Sequence, residues 1–468
     1  MSRRCSRAQP AGGAAGSAAQ CKRGRAVPCL QLLPGHTWRC CRRQRVSIRL
    51  ACESLLRVLP PAMGSTLRLE IRRTMQTAVL ILGGFEGKGF PVDVSLTPSS
   101  LQIQTPESCE TLNLPPEVKL IPSSCRFMQH VAGEGLHIRM KVHTDGATDD
   151  VRTLKDILKV QENITFQCQP CGEMIIQEQQ FQRVLPLPSE NWSSLVEEWC
   201  CHPDPFANRN CLPKVNDCFL GDTFLLVNRA NLSDPPEETN EKSSAPHSVD
   251  ANVSNSKENT KVICKRCKTM LGETVSSDVV KYYITEVLIR PSCQDFQIIS
   301  RTQFMESVIV QLLMELSASK STYRFCVQGQ DGKLYLLLWL LNVDTLLVES
   351  GTRSGTVTSL FFGNFPAPSS GSLEVRNAVR VLFCSCRQQT KKELADKWIN
   401  ETGAQVLTFP SHTCLELLLL LSINNSSLPH SLRFMNDWQA KSELHSTRGK
   451  KLIQSNLELF FWVAYLKI

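Results

Sequence analysis

Alternating hydrophobic and charged residues begin at Leu67 and continue in short segments through the first third of the chain. Leu67, Leu69 and Ile71 alternate with charged residues, and the apolar run 78–82 ends at a pair of glycines. Period-two alternation is typical of strands with one buried face. Similar short segments follow, separated by Pro, Gly and Ser, at 92–96, 101–103, 118–121 and 136–142. The pattern predicts a β-rich domain.

Longer apolar segments occupy the second half. Residues 304–316 have apolar positions at helical spacing, whereas 335–348 and 379–384 are typical of buried strands. A polar stretch rich in Ser and Asn, 228–260, predicts a flexible loop. The predicted fold class is α+β. Its parts are a β-rich domain at 63–160, a central zinc-stapled region at 161–285, and a mixed α/β C-terminal region at 286–468.

The first 62 residues differ from the rest in composition. They contain 12 Lys and Arg against Glu53, a local charge of +11 within a total of +8, so the remainder carries −3. We interpret 1–62 as a disordered basic arm, with a mitochondrial presequence as the alternative because acids are nearly absent. Because the rest of the chain has a net negative charge, it does not attract nucleic acid electrostatically. No direct nucleic-acid contact is therefore expected.

Neither a membrane span nor a secretory signal is indicated. A spanning helix needs about 18 uninterrupted apolar residues, and the run 334–348 is broken by Asn342 and Asp344. The chain has 21 cysteines, an odd count, and its N-terminus lacks a secretory apolar region. Reduced thiols and metal ligands are therefore expected. The predicted compartment is the cytoplasm, with the nucleus as a second location.

Two Cys-x-x-Cys pairs predict a structural zinc site. Their cysteines are Cys168, Cys171, Cys264 and Cys267. Two thiolates about one turn apart can bind one ion, and two such pairs complete a tetrahedral set. A glycine follows the first pair directly, and Gly272 is the corresponding residue expected for the second. The alternative is that the pairs are buried or redox-active thiols.

A second cysteine cluster lies between the two pairs. Cys200, Cys201 and His202 follow Trp199 and precede Pro203. Adjacent cysteines do not easily share one tetrahedral site, so this segment could present a single ligand outward. Flanking prolines predict an extended segment suited to docking on a partner. The alternative is a pair of buried thiols beside an exposed His.

A third candidate is Cys414, which follows His412 and Thr413 and precedes a leucine run. A nearby His can favour the thiolate that a nucleophilic cysteine requires. The alternative is that Cys414 belongs to the core, since Cys is among the most buried residue types.

Several longer motifs carry a family resemblance. They are Ser99-Ser100-Leu101, Pro122-Ser123-Ser124-Cys125, Arg183-Val184-Leu185-Pro186-Leu187-Pro188-Ser189-Glu190-Asn191-Trp192, Trp199-Cys200-Cys201-His202-Pro203 and Lys261-Val262-Ile263-Cys264-Lys265-Arg266-Cys267. With these motifs the chain resembles the HECT-like ubiquitin ligases that bind ubiquitin-conjugating enzymes. The resemblance extends over 67–439 and returns at 463–468, so 440–462 is an atypical insert.

The resemblance implies a ubiquitin ligase. Ubiquitin would pass from a conjugating enzyme, as a thioester, to substrate lysines and so promote proteasomal degradation. It also implies that Cys414 is the thioester acceptor, with His412 beside it, because the Thr-Cys sequence is similar to the acceptor loop of HECT ligases. The leucine run after Cys414 departs from that loop, and Tyr465 only faintly matches the terminal aromatic residue.

Two partner segments follow from the resemblance by position. Residues 290–312 correspond to the contact region for the conjugating enzyme, with Phe304 and Val308 on an apolar helix face, although a core helix explains that face equally well. Residues 186–216 resemble the motif that binds the zinc-dependent endonuclease of messenger-RNA 3′-end cleavage. In that motif Cys201 would add a ligand to the partner's zinc and block catalysis there. The other contact residues are Trp192, Trp199, Cys200 and His202.

Three functional hypotheses therefore remain. The first is a thioester-forming ubiquitin ligase with zinc as a structural cofactor. The second is a non-catalytic binder that inhibits or chaperones the endonuclease. The third is a nucleic-acid-binding zinc protein acting through the basic arm, which the −3 charge of the remainder disfavours.

Overall fold

The protein is mostly β-sheet with few helices among the residues that the structure describes. The computed structural model describes residues 29–30, 46–50, 66–83, 92–104, 109–145, 158, 160–187, 212–232, 237–239, 260–291, 300–349, 374–386, 398, 403–435 and 461–467. The predicted α+β class is thus correct only in part, because strands dominate all three predicted regions. No helix in these ranges is long and apolar enough to cross a membrane.

The first twelve strands are β1 (Cys29–Leu30), β2 (Val46–Leu50), β3 (Thr66–Arg72), β4 (Thr77–Gly83), β5 (Val92–Leu96), β6 (Ser100–Gln104), β7 (Cys109–Asn113), β8 (Val118–Val131), β9 (Gly135–Thr144), β10 (Asn163–Cys168), β11 (Met174–Gln180) and β12 (Arg183–Pro186).

The remaining strands are β13 (Asp217–Leu220), β14 (Phe224–Asn228), β15 (Glu237–Thr239), β16 (Lys261–Ile263), β17 (Met270–Ser276), β18 (Val279–Tyr283), β19 (Val287–Pro291), β20 (Arg324–Gly329), β21 (Leu334–Glu349), β22 (Glu374–Ser385), β23 (Gln405–Phe409), β24 (Phe434–Met435) and β25 (Phe461–Lys467). The α-helices are α1 (Arg301–Lys320), α2 (Ser411–Ser426) and α3 (His430–Arg433), and a 3-10 turn spans Arg229–Asn231.

One large sheet contains strands from both the first and the last predicted regions. Its strand path is β24-β25-β22-β21-β3-β4-β9-β8, with β20 paired to β21 and β23 paired to β20. β3 and β21 pair antiparallel, with Leu69 opposite Val348 and Glu70 opposite Leu347. Strands from the predicted first and last regions therefore form one sheet.

A five-stranded sheet covers the first part of the large sheet. Its order is β1-β2-β5-β6-β7. The alternating residues Leu67, Leu69 and Ile71 are buried against Val94 and Leu101 of this second sheet. Strand β2 lies within the segment whose composition predicted a disordered arm, and it pairs antiparallel with β5.

Helices α1 and α2 cover the C-terminal part of the large sheet. Ser300 caps α1, since its hydroxyl accepts from the backbone N–H of Gln303 at 3.3 Å. Pro410 precedes α2, and a proline suits the start of a helix because the N–H that it lacks would have no acceptor within the helix. Apolar residues of both helices share one core with strands β20 to β23 and β25.

Two smaller sheets form the central region and share a third core. One has the order β11-β10-β19, and the other β12-β13-β14-β18-β17-β16-β15. Phe166, Phe181 and Tyr282 are fully buried between them, with Cys168 and Cys264 at the edge of the same core. Most of the predicted loop 228–260 lies outside the described residues.

Candidate functional site

Two turns bring four cysteine sulfurs together. Cys168 ends β10, and Cys264 directly follows β16. The Sγ atoms of Cys168 and Cys267 are 3.5 Å apart, as are those of Cys171 and Cys264. All four sulfurs lie within 4.8 Å of one another, and none is in a disulfide. An ion about 2.3 Å from four tetrahedral sulfurs would separate them by about 3.8 Å. The four-cysteine cluster could therefore hold a metal ion.

The two turns share one backbone pattern. Gly172 donates its N–H to Cys168 O at 2.8 Å, and Lys268 donates its N–H to Cys264 O at 3.0 Å. Both donors have a positive φ, +75° at Gly172 and +61° at Lys268. Lys268 thus takes the place in the second turn that Gly172 takes in the first.

The expectation that Gly272 serves the second turn is wrong. Gly272 lies inside β17, opposite Tyr282 of β18. A Cβ at this position would overlap the carbonyl of Lys281. Close approach of two backbones therefore accounts for Gly272, and the cysteine turn does not involve it.

The thiols of the cluster differ in their titration. Burial raises the pKa of Cys168 and of Cys171. Burial would also raise the pKa of Cys267, but hydrogen bonding to Thr269, whose Oγ1 is 3.3 Å from the sulfur, lowers it to about 7. One member of the cluster can therefore ionise near neutral pH, and a bound cation would favour ionisation of the others.

Cys414 lies in the first turn of α2 and is fully buried. Its N–H donates to Pro410 O at 3.1 Å. Its Sγ lies 3.6 Å from Gln328 O and 4.0 Å from Phe409 O. Burial, followed by the charge of Asp331, raises the pKa of this thiol to about 12. In this arrangement the thiol is neither exposed nor ionised. Its role as acceptor stays a prediction.

His412 contacts a buried carboxylate. Its Nε2 is 3.3 Å from Oε2 of Glu286, a residue with no exposed surface. Burial alone would raise the pKa of Glu286, but the hydrogen bond with His412, the charge of Arg301 and the hydroxyl of Thr413 lower it to about 2. The carboxylate is therefore ionised at neutral pH.

Sequence reasoning missed Glu286 and Arg301. The available signal was a glutamate shortly after the buried run of β18, with Tyr282 and Tyr283 at its end. A charged residue beside such a run must find a partner, because an unpaired buried charge is costly.

The predicted contact helix for the conjugating enzyme is largely a core element. Phe304 is 9% exposed and Leu312 is 4% exposed, whereas Val308 is half-buried. The burial of Phe304 favours the core interpretation of this face. Residues 292–299 of the predicted contact region lie outside the described residues.

Two paired strands adjoin the described ends of the predicted endonuclease motif. β12 and β13 flank it and pair in parallel, with Arg183 opposite Asp217. The guanidinium of Arg183 donates from Nε to Oδ1 of Asp217 at 2.9 Å and from Nη2 to Oδ2 at 2.5 Å. The predicted contact residues, which lie outside the described residues, are Trp192, Trp199, Cys200, Cys201 and His202.

Comparison with known proteins places the chain in a family. A family model described as HECT-like ubiquitin-conjugating enzyme (E2)-binding matches residues 70–440. This range includes the four-cysteine cluster, Glu286 and Cys414. The chain therefore belongs to the HECT-like E2-binding family, and its resemblance to that family is confirmed.

Curated relatives match over most of the chain. A mouse (Mus musculus) protein named as an E3 ubiquitin-protein ligase is 49% identical over 372 residues, 79% of this chain and 95% of the relative. The human protein of the same name is 48% identical over 375 residues, 79% of this chain and 96% of the relative. An uncharacterized protein of Saccharomyces cerevisiae is 19% identical over 297 residues, 62% of this chain and 71% of the relative. No solved structure matches the chain.

Proposed function

We propose that the chain is a ubiquitin ligase that binds a ubiquitin-conjugating enzyme and transfers ubiquitin to substrate lysines, which promotes proteasomal degradation. The observation that carries this proposal is the family match over residues 70–440. Relatives that cover 79% of the chain at 48–49% identity are named as E3 ubiquitin-protein ligases. Ubiquitin and a charged conjugating enzyme are therefore the partners to test first.

The proposed transfer uses Cys414 as the acceptor. The Cys414 sulfur attacks the carbonyl of the thioester between ubiquitin and the conjugating enzyme, a new thioester forms, and the Cys414 proton passes to the departing cysteine of the conjugating enzyme, which leaves as a thiol. The amine of a substrate lysine then attacks this second thioester, an isopeptide bond forms, and Cys414 takes the amine proton and leaves as a thiol. Because the thiol is enclosed by Gln328 O and Phe409 O, docking of the charged enzyme must first displace the start of α2.

A charging assay tests this assignment. Incubation with a conjugating enzyme and labelled ubiquitin should give an adduct that reductant removes, and Cys414→Ala should abolish it. Cys326→Ala is the matched control, because Cys326 is equally buried and burial likewise raises its pKa to about 12. Substrate ubiquitination that persists in Cys414→Ala would rule out Cys414 as the acceptor, and its persistence without any reducible adduct would indicate direct transfer from the conjugating enzyme.

The ion proposed for the four-cysteine cluster is zinc. Four thiolates in a closed tetrahedral set are typical of structural zinc and leave no open position for a substrate. The sulfurs lie within 4.8 Å of one another, which suits this geometry. Zinc would then link the turn after β10 to the turn after β16, two segments far apart in the sequence.

The endonuclease of messenger-RNA 3′-end cleavage is the second proposed partner. The pairing of the two flanking strands, with Arg183 bonded to Asp217, supports presentation of the motif 186–216 to another protein. Cys201→Ser should then weaken binding to purified endonuclease, with the exposed Cys109→Ser as control. Unchanged binding would refute this proposal. The proposed compartments remain the cytoplasm and, for this partner, the nucleus.

A further inference from the structure

One buried carboxylate lies where three parts of the fold meet. Glu286 connects β18 to β19 and has no exposed surface. Its backbone C=O accepts from the N–H of Gln169, which lies inside the first cysteine turn, at 3.0 Å. The strand pairing sets Cys168 opposite Val287, the residue after Glu286. The backbone of Glu286 is therefore fixed to the four-cysteine cluster.

The side chain of Glu286 is fixed to the two long helices. Oε1 accepts from the hydroxyl of Thr413 at 2.6 Å and from that of Thr285 at 2.9 Å. Nη2 of Arg301 donates to both carboxylate oxygens, at 3.0 and 3.2 Å. Nε2 of His412 is 3.3 Å from Oε2. The first residue of α1 and two residues of the first turn of α2 thus share one carboxylate.

Arg301 extends the same connection. Its Nη1 donates to Oε1 of Gln169 at 3.2 Å and also to the carbonyl of Thr285. Its Nε donates to Oε2 of Glu416, one turn along α2, at 3.0 Å. Arg301 therefore contacts the cysteine turn, the strand connection and α2, the same three parts that Glu286 joins.

We propose that Glu286 is a positioning residue that holds the first turn of α2 against the four-cysteine cluster and thereby keeps the Cys414 thiol enclosed. The link to ubiquitin transfer rests on the proposed function of Cys414, whereas the positioning itself does not. Thr413 is the residue before Cys414, so displacement of the Thr413 hydroxyl moves the sulfur away from the carbonyls of Gln328 and Phe409.

Physical chemistry explains why the carboxylate has this effect. A hydrogen bond to a charged group contributes more than a neutral one, and a buried donor that loses its acceptor keeps the full cost of its lost hydration. Replacing Glu286 by Gln removes the fully buried one of the two carboxylates that pair with Arg301 and leaves Glu416, whose side chain is 42% exposed. The amide oxygen of Gln can still accept from Thr413, but it offers Arg301 no charge, so the buried contacts weaken and the first turn of α2 opens more often.

The experiment measures alkylation of individual cysteines in the folded full-length protein. Iodoacetamide is added under native conditions, and peptide mass spectrometry gives the rate at each cysteine. In Glu286→Gln we expect the rate at Cys414 to rise about tenfold or more, because a charged hydrogen bond is lost. The rate at Cys326, an equally buried thiol outside this set of contacts, should not change.

Substitutions at Thr413 separate positioning from general stability. Thr413→Val keeps the shape and removes the hydroxyl, so the rate at Cys414 should also rise. Thr413→Ser retains the hydroxyl and should restore the wild-type rate.

A second buried glutamate provides the matched control. Glu306 of α1 is 6% exposed, and its Oε1 accepts from Nδ2 of Asn424, towards the end of α2, at 3.0 Å. Glu306→Gln changes a buried carboxylate at the far end of α2, so it should leave the rate at Cys414 unchanged.

Two outcomes would overturn the proposal. One is an unchanged rate at Cys414 in both Glu286→Gln and Thr413→Val. The other is a rate that rises equally at Cys414 and Cys326, since this indicates loss of the whole fold. Because alkylation needs no ubiquitin, a selective rise at Cys414 supports positioning even where the charging assay finds no adduct on that residue.

Discussion

The four-cysteine cluster and the Cys414 site contain the same functional group in opposite surroundings. Each cluster sulfur has other sulfurs within 4.8 Å, whereas the Cys414 sulfur has two backbone carbonyls beside it and apolar residues around it. Cys267 has a pKa lowered to about 7, and Cys414 has one raised to about 12. Burial is the largest cause of the raised pKa at Cys414, whereas at the exposed Cys267 hydrogen bonding to Thr269 outweighs the effect of burial.

Metal removal should have the largest effect, and only at the cluster. A structural zinc site contributes on the order of 10 kcal/mol to folding. Chelation, or Cys168→Ser, should therefore unfold the central region, as measured by bound metal and by urea unfolding. The exposed Cys109→Ser should change the free energy of unfolding by less than about 0.5 kcal/mol. A metal-free protein of unchanged stability would contradict a structural role for the cluster.

Low pH should have the next largest effect on stability, because it protonates the Glu286 carboxylate between the two sites. The pKa of Glu286 is lowered from 4.5 to about 2, so its stabilisation is complete above pH 4.5 and is lost as the pH falls towards 2. That shift corresponds to about 3 kcal/mol. Urea unfolding at stepped pH should show a steeper loss for wild type than for Glu286→Gln. Other lowered carboxylates, such as Glu70, are present in both proteins. If the free energy of unfolding fell equally with pH in both proteins, Glu286 would not make its contacts as an ionised carboxylate.

Removing the Cys414 thiol should lower the free energy of unfolding by a smaller amount. Cys414→Ala removes one buried sulfur from an apolar core and leaves a small cavity, so we expect a loss of about 1–2 kcal/mol. Thermal unfolding measures this loss, and the metal content should remain that of wild type. Cys326→Ala should behave alike, because both sulfurs are fully buried. A loss of metal in Cys414→Ala would show that the two sites are less separate than their surroundings indicate.

The smallest changes in the free energy of unfolding are expected from one substitution in each of the two cysteine turns. Gly172→Ala places a side chain at φ +75° with no atom within 4 Å of the new Cβ, so its cost of about 1 kcal/mol comes from the backbone alone. Lys268→Gly removes the same strain from the second turn and should stabilise by up to about 1 kcal/mol. Urea unfolding of the metal-loaded protein measures both. If both substitutions changed the free energy of unfolding in the same direction, the two turns would not be equivalent.

The sequence predicted local features of the fold well. Alternation from Leu67 to Ile71 and the apolar runs at 335–348 and 379–384 correspond to β3, β21 and β22. Pairing of β3 with β21 was not predictable, because residues far apart in the chain leave no local pattern that identifies their partner.

The candidate sites were predictable to different degrees. The cysteine spacing alone predicted the set of four sulfurs that the structure brings together. For Cys414, the sequence allowed two interpretations, an acceptor thiol and a core thiol. It could not decide between them, because the burial of the sulfur depends on how α2 packs. Lys268 in place of a glycine and the contact of Glu286 with Thr413 depend on tertiary geometry, which no single-sequence pattern encodes.

The pairing of β21 with β3 and of β22 with β25 limits how the protein can be divided for study. Residues 66–72 and 461–467 pair with opposite edges of the antiparallel pair β21–β22. A fragment that stops before residue 461 lacks β25, and one that starts after residue 83 lacks β3 and β4. Each would leave apolar strand edges exposed and prone to aggregation. Point substitutions, not truncations, are therefore the sound way to assign activities within this chain.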